Sequence, residues 1–581
     1  MLPRWRWAAY TLPVTIGLIP AFLAPGHIVG DGVDAYGTGW FYWWVRMCVT
    51  HFGDPSWTSL FFMPDGKDIF SHTGNNFIDA VFSLPFQWVF GLNWSPPFTL
   101  FLLAGNAWAF EKLALELWSD PREAVAATVA WMVCPYAIFE LTAGRPTQAC
   151  LWWAPLAVLM LLRICRGDAS TRTALSLGAA VAIAAWTYWF VGYFLAFLML
   201  PLAIWWSDGR RAQAARSVGI AAVFCVVLIL PMGLAMWGSW DAGLVPGVKA
   251  GGPEAANVSG DLHGIWLMET RGAPLLLQPA WTLAAMIGAL RGGREGRIWA
   301  LIAIGLIAIG FGARISGERI LNPVWLVASH LPFLSRLWFP YRITMVVMIP
   351  MVALAILAWR SLGRSPRWGM TFVAGSIGGQ LFAGTLPFNH TDTTCPPLIV
   401  DAAKEPGAFL FLPGGIQSDV LLWQTQFARP TIGGMGESAP AMWPDGYRKR
   451  RGTPWMTALQ NAAAAPLRPQ PRLPSKREEL DALGVRWVVL RRDLIVGVWR
   501  NERRRNPKTP LNLRDSEAIR LLTSLLGAPQ AADERLVLWD VKGTYSNPAF
   551  TATEALLTAP PRDEEVRPGF ELGMIRMGRE Q

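Results

Sequence analysis

The stretch GHIVGDGVDAYGTGWFYWW (Gly26–Trp44) sets two carboxylates, Asp31 and Asp34, between a long apolar run and a wall of aromatic residues. The run before it, Ala8 to Ala24, has the basic flank Arg4 and Arg6 of a signal peptide. The residues that follow, PGHIVGDG, offer no small-x-small cleavage site, so the run reads as an uncleaved first membrane span. A charged side chain at a membrane edge reaches water at little cost, but these two acids are followed by a second segment that is itself membrane-seeking. That placement needs a reason, and the rest of the chain supplies its setting.

The chain has 581 residues, 52% of them hydrophobic and only 16% charged. That balance is far from an ordinary soluble protein and fits an α-helical polytopic membrane protein. Trp pairs such as Trp43-Trp44, Trp152-Trp153 and Trp205-Trp206 suit aromatic belts at the lipid headgroups. The net charge of +10 comes from Arg spread over short loops. It forms no basic stripe or module, so no nucleic-acid partner is implied and membrane orientation accounts for it. The six Cys (Cys48, Cys134, Cys150, Cys165, Cys225, Cys395) lack C-x-x-C spacing and read as small apolar packers.

Runs able to cross a hydrocarbon core, each about 20 residues or somewhat shorter, fall near 8–25, 96–117, 124–142, 149–162, 173–189, 191–206, 217–236, 274–290, 298–312, 343–359 and 368–387. About eleven spans are therefore expected. Alternate loops collect the basic residues: Arg4 and Arg6; Arg122; Arg163, Arg166 and Arg172; Arg210, Arg211 and Arg216; Arg291, Arg294 and Arg297; Arg360, Arg364 and Arg367. By the positive-inside rule these loops and the N-terminus are cytoplasmic, and an odd span count sends the tail to the other side. Asp31 and Asp34 then face outward. One outer segment departs from the rule, with Arg314, Arg319, Arg336 and Arg342 crowded into RISGERILNPVWLVASHLPFLSRLWFPYR. Either those residues lie too far from the orientation signals to matter, or they bind an anion.

The first outer loop, 26–95, contains WFYWWVRMCV and FIDAVFSLPFQWVFG, apolar but short, which read as interfacial helices forming a lid. The expected division is a membrane domain over 1–390 and an extracytoplasmic α/β domain over 391–581. In the tail, FLFLP (409–413), VRWVVL (485–490) and RLVLWD (535–540) read as buried strands, and EELDALG before VRWVVL as a helix, a Gly stop and a strand. The segment 435–476, with RKRR at 448–451, reads as a loop.

Outward carboxylates past the first span, an apolar outer loop and an outer tail on a many-span body suggest chemistry on a lipid-carried substrate. GDGVDAYGTGWFYWW, FMPDGKD (62–68), PYAIFELTAGRPTQACLWWAPLAVLMLLR (135–163) and FPYRITMVVMIPMVALA (339–355), with FLFLPGG, QTQFARPTIGG and LGVRWVVLRRD in the tail, resemble the GT-C superfamily of integral membrane glycosyltransferases, in a poorly characterised bacterial branch. The resemblance implies a polyprenyl-phosphate-linked sugar donor, a glycan, lipid-linked or protein acceptor, and a location in the bacterial inner membrane. It also implies an aspartate of the first outer loop as general base, for which Asp34 in D-x-Y matches best and Asp31 is second. A partly desolvated carboxylate is a stronger base, which suits removal of a hydroxyl proton. The alternative is that these acids cap the next helix or shape a Gly-rich turn.

Several members carry a second acidic motif in the second outer loop. Here Arg145 and Gln148 stand in TAGRPTQ, with Glu140 one turn earlier. A divalent ion (Mg or Mn) on Asp31 and Asp34 is compatible with the spacing but not required by it. Arg342, after Pro340-Tyr341, and Arg336 are candidates to grip the donor phosphate, the other reading being arginines that snorkel to headgroups. Asp261 and His263 in SGDLHGIW, with Arg145 and Gln148, are candidates to line the acceptor side; a solvated loop is the alternative for the first two. Two other functions stay open: a GT-C-like scaffold without catalysis, and a lipid or small-molecule transporter, which the near absence of ionisable groups in the spans disfavours.

Overall fold

The computed structural model describes residues 6–51, 53–69, 76–241, 278–312, 314–315, 320–328, 330, 340–414, 419–435, 443–464, 471, 473, 478–495 and 515–542. The chain divides into a unit of Met1–Val49, Thr73–Gly238 and Gly247–Asp392 and a unit of Thr50–His72, Ser239–Pro246 and Thr393–Gln581.

The first unit is helical. Its helices are α1 (Arg6–Leu23), α2 (Val33–His51), α3 (Phe77–Phe90), α4 (Ser95–Leu117), α5 (Pro121–Met132), α6 (Pro135–Thr142), α7 (Pro146–Ala149), α8 (Trp153–Cys165), α9 (Thr171–Thr187), α10 (Trp189–Trp206), α11 (Arg211–Asp241), α12 (Pro279–Arg291), α13 (Gly293–Gly310), α14 (Thr344–Ser361) and α15 (Pro366–Phe382). A helix lies on each of the eleven expected runs. Among the described residues six stretches are long and apolar enough to cross a membrane: Ser95–Leu117, Pro121–Thr142, Pro146–Cys165, Trp189–Trp206, Arg211–Ala235 and Pro340–Ser361. The chain is a multi-pass membrane protein.

Proline sets the breaks. Pro121, Pro135 and Pro146 each sit in the first turn of a helix, where a missing N–H costs nothing, and they divide the segment 121–165 into short pieces. The side chain of Asp120 caps α5 by accepting the Arg122 N–H at 2.9 Å. Asn106 of α4 then holds the link between α7 and α8, donating to the Ala149 carbonyl and accepting the Leu151 N–H, both at 2.8 Å. At other helix ends, buried acids are paired. Glu111 accepts from Arg6 Nε at 2.7 Å and Tyr10 OH at 2.9 Å, and Glu123 accepts from Arg360 Nε at 2.6 Å and Arg364 Nε at 3.1 Å.

The two apolar pieces of the segment 26–95 are both helical. In α2 Trp40, Phe41 and Tyr42 are fully buried. In α3 the buried face holds Asp79, Ser83 and Gln87, while Trp88, Val89 and Phe90 are exposed. A polar face turned inward and an apolar face turned outward suit a helix whose solvent is lipid. Strand β1 (His27–Val29) pairs antiparallel with a strand at His390–Asp392, with Ile28 opposite Thr391, so the approach to α2 is tied to the segment that follows α15.

The second unit contains the antiparallel ribbon of β2 (Trp57–Thr58) and β3 (Lys67–Asp68) and a four-stranded sheet. Its strands Ala408–Leu412 and Val485–Arg491 are parallel, Leu536–Asp540 lies antiparallel beside the second, and Ala531–Ala532 completes the edge. The three longer strands fall where alternation and apolarity placed them, and every residue in them is buried. Helix Glu478–Ala482, Gly484 at φ +64° and the Val485 strand follow in the order read from EELDALGVRWVVL. Two helices, Asp445–Arg451 and Pro454–Ala464, stand where a loop was expected. The second is rich in Ala and buries Trp455, Met456, Leu459 and Ala462, so packing overrides its Pro-rich flanks. Residues 57–69 belong to this unit: Leu60 O accepts the Thr431 N–H at 2.9 Å, and the Phe62 N–H donates to Gly433 O at 3.1 Å.

Candidate active site

The two acids of the opening stretch lie where the segment after α1 meets the turn between α6 and α7. Gly30 (φ +96°) and Gly144 (φ +70°) make that meeting possible. A Cβ on Gly30 would stand 2.3 Å from Gly144 Cα, and one on Gly144 would stand 2.2 Å from Ala35 Cβ. Only glycine fits both the left-handed backbone and the close approach. The contact is locked by the Asp31 N–H donating to Thr142 O at 2.9 Å and the Gly30 N–H donating to Asn389 O at 2.6 Å.

Gly144 also ends α6. Its N–H donates to Leu141 O at 3.0 Å and the Arg145 N–H to Glu140 O at 2.8 Å, the paired bonds of a Schellman ending. The turn folds Arg145 back over its own helix. Arg145 Nε then lies 2.7 Å from Glu140 Oε2, with the Glu140 side chain fully buried and that of Arg145 11% exposed. Its Nη1 reaches Asp34 Oδ2 and Tyr341 OH, each at 3.4 Å. Burial would pull the Arg145 pKa down, but Glu140 and then Tyr341 and Asp34 outweigh it and hold it above the usual arginine value. The cation is therefore permanent and is anchored on one side by a buried acid.

Tyr341 and Arg342 occupy the short 3₁₀ helix Pro340–Ile343 that leads into α14. Arg342 Nη1 donates to Tyr188 OH at 2.5 Å, and its guanidinium lies 5.4 Å from the centroid of that ring. Two arginines, two tyrosine hydroxyls, a buried glutamate and Asp34 thus share one corner of the helical unit.

The expected residues divide. Asp34 lies in the first turn of α2 with its side chain 55% exposed. The helix start sets this carboxylate half in the open, with Arg145 as the charged group beside it. Asp31 shapes its turn: Oδ1 accepts the Gly32 N–H at 2.7 Å and Thr391 Oγ1 at 3.3 Å. Gln148 is buried in α7. Arg336, Asp261 and His263 lie outside the described residues. Tyr188, Tyr341 and Glu140 join the cluster unassigned by the sequence. The Schellman spacing E-L-T-A-G-R is the available signal for Glu140, whereas a lone Tyr188 near the end of the run 173–189 carries none.

Among the described residues the acids of this corner are already engaged. Asp31 is committed to its turn, Asp34 has a guanidinium for a neighbour, and among the described residues no three acid, His or Cys side chains converge. Positive charge at this corner is supplied by arginine.

No family model and no curated protein sequence matches the chain. Solved structures do. The arabinofuranosyltransferase AftD from Mycobacteria matches at 16% identity and a TM-score of 0.50, over 94% of this chain and 42% of its own. The oligosaccharyltransferase of Archaeoglobus fulgidus matches at 11% identity and 0.48, over 84% of this chain and 70% of its own. ArnT from Cupriavidus metallidurans, solved with undecaprenyl phosphate, matches at 14% identity and 0.36, over 94% of this chain and 100% of its own. The chain spans less than half the length of the mycobacterial enzyme, and what that likeness establishes is a shared fold.

Proposed function

We propose that this chain of GT-C fold is a glycosyltransferase that moves a sugar from a polyprenyl-phosphate donor to a glycan, lipid-linked or protein acceptor at the outer leaflet of a bacterial inner membrane. Asp34 is its general base. The observation that carries this reading is the pairing of an exposed carboxylate with a guanidinium 3.4 Å away that a buried glutamate anchors.

The chemistry is one displacement. The acceptor hydroxyl gives its proton to Asp34 as its oxygen attacks the anomeric carbon. The bond from that carbon to the phosphate oxygen breaks, and the electron pair leaves with the lipid phosphate. Formal charge follows the same course. Glu140, Asp34, Arg145 and Arg342 sum to zero before reaction, and protonation of Asp34 leaves one net positive charge as the departing phosphate gains one negative charge. Arg145 and Arg342 carry that charge, with the hydroxyls of Tyr341 and Tyr188 beside them. A retaining route needs a second free carboxylate as nucleophile. Glu140 is buried against Arg145, and Asp31 is held in its turn by the Gly32 N–H and the Thr391 hydroxyl, which supports inversion.

The test uses the full-length chain in nanodiscs with a panel of polyprenyl-phosphate sugars, reading release of polyprenyl phosphate. Asp34→Asn is expected to slow transfer by about 10²–10⁴-fold, the range for losing a general base. Transfer that survives Asp34→Asn combined with Asp31→Asn at the wild-type rate overturns the mechanism.

A further inference from the structure

One buried acid of the helical unit takes no part in this chemistry. Asp79 of α3 has no exposed surface. Its Oδ2 accepts hydrogen bonds from Tyr42 OH of α2 and from Thr147 Oγ1 of α7, the second at 2.5 Å. Gln87, two turns further along α3, donates Nε2 to the Tyr42 carbonyl at 3.0 Å and to Ser83 Oγ at 2.8 Å. Tyr42 is therefore held from α3 at both its hydroxyl and its carbonyl. Among the described residues Asp79 Oδ1 has no hydrogen-bond partner. A carboxyl kept in such a place at the expense of desolvation needs more than packing to explain it.

Of the two helices that Asp79 joins, the first carries Asp34 and the second begins just after Arg145. Asp34 lies two turns before Tyr42 in α2, and Arg145 stands two residues before Thr147. The Asp34 to Arg145 contact, at 3.4 Å, is too long to fix its own geometry. The close approach of Gly30, Gly144 and Ala35 brings the backbones together there, and Tyr42 and Thr147 on Asp79 form a second tie between the same two segments, one made by side chains. We propose that Asp79 is a positioning residue that fixes the separation of Asp34 and Arg145 by gathering Tyr42 and Thr147 onto one carboxyl oxygen. The proposal rests on the assignment of Asp34 and Arg145 to sugar transfer. On this view the short apolar segment 77–90 is a brace between the segments that carry Asp34 and Arg145, and its polar inward face is what does the bracing.

The test compares wild type, Asp79→Asn and Asp79→Leu, full-length in nanodiscs, by cryo-EM and by turnover. Asparagine offers a carbonyl oxygen to the same two hydroxyls, so Asp79→Asn should keep the 3.4 Å contact and near-normal turnover. Leucine offers none. Asp79→Leu should widen the Asp34 to Arg145 separation by about 1 Å or more and lower kcat about a hundredfold, the cost of a misplacement of that size. Affinity for undecaprenyl phosphate, measured by titration, should hold in both variants, because Arg342 and Tyr188 are untouched. An unchanged separation in Asp79→Leu overturns the proposal, as does Asp79→Asn failing as badly as Asp79→Leu. A wild-type chain that transfers no sugar from any donor defeats the functional assignment instead, and the separation seen in the maps still decides what Asp79 does.

Discussion

Glu140→Gln is the most informative perturbation of the candidate site. The Glu140 side chain has no solvent exposure and lies 2.7 Å from Arg145 Nε, itself only 11% exposed. Removing one partner of a buried ion pair costs about 3–5 kcal/mol, because the remaining charge is stranded. Arg145 keeps Asp34 at 3.4 Å and some access to water, so the lower end, about 3 kcal/mol, applies. At roughly 1.4 kcal/mol per factor of ten, the turn over 143–149 should open about a hundredfold more often. Hydrogen exchange of the full-length chain in nanodiscs, followed by mass spectrometry over that segment, reads the change directly. Adding Arg145→Met should restore much of the protection, since a buried pair replaced by apolar groups is often neutral. Wild-type exchange rates in Glu140→Gln alone would refute the claim that the acid anchors the arginine.

Three further expectations follow from the same geometry. Arg342→Met should weaken binding of undecaprenyl phosphate by about tenfold or more, the equivalent of 1.5–3 kcal/mol for a hydrogen bond to a charged group, with Tyr188→Phe costing less; titration in nanodiscs measures both. Gly144→Ala forces a Cβ to 2.2 Å from Ala35 at φ +70°, and should abolish transfer and lower thermal stability, whereas Gly378→Ala, with open space around it, should do neither. Lys67, whose Nζ donates to Met435 O at 2.8 Å, is pulled down to about 7 by burial, with Asp68 pushing the other way. A folded pKa below the unfolded value means that the folded unit binds fewer protons, so its stability falls as pH drops from about 10 toward 7. Exchange over 57–69 and 431–435, corrected for intrinsic rates, should be slower at pH 9 than at pH 7, and Lys67→Met should remove the difference.

The candidate site was only partly legible. Asp34 stood out because a carboxylate following an apolar run and a Gly-rich turn is costly and conspicuous. Arg342 stood out because its charge lies on the side where the orientation rule disfavours it. The sequence marks Arg145 and, one turn earlier, Glu140, but nothing in it joins the two. Their partnership depends on a glycine at the helix end that brings the residue after it back over the one four before it. Tyr188 and Tyr341 reach the cluster from helices far apart in the chain, and no local pattern announces a pair of that kind.

Apolar run length, arginine alternation and strand periodicity are local properties, and each depends on a solvent preference that every residue carries with it. The many-span body, the helices on the eleven runs and the buried strands of the tail could therefore be read directly from the order of residues. The close approach of Gly30, Gly144 and Ala35, the inward polar face of the segment 77–90, and the joining of 57–69 to the tail's sheet rest on contacts between residues distant in sequence. Those contacts exist only once the chain has packed, because their energy comes from the partner across the interface and not from the residue itself. Asp34 and Arg145, 111 positions apart, become one site for that reason.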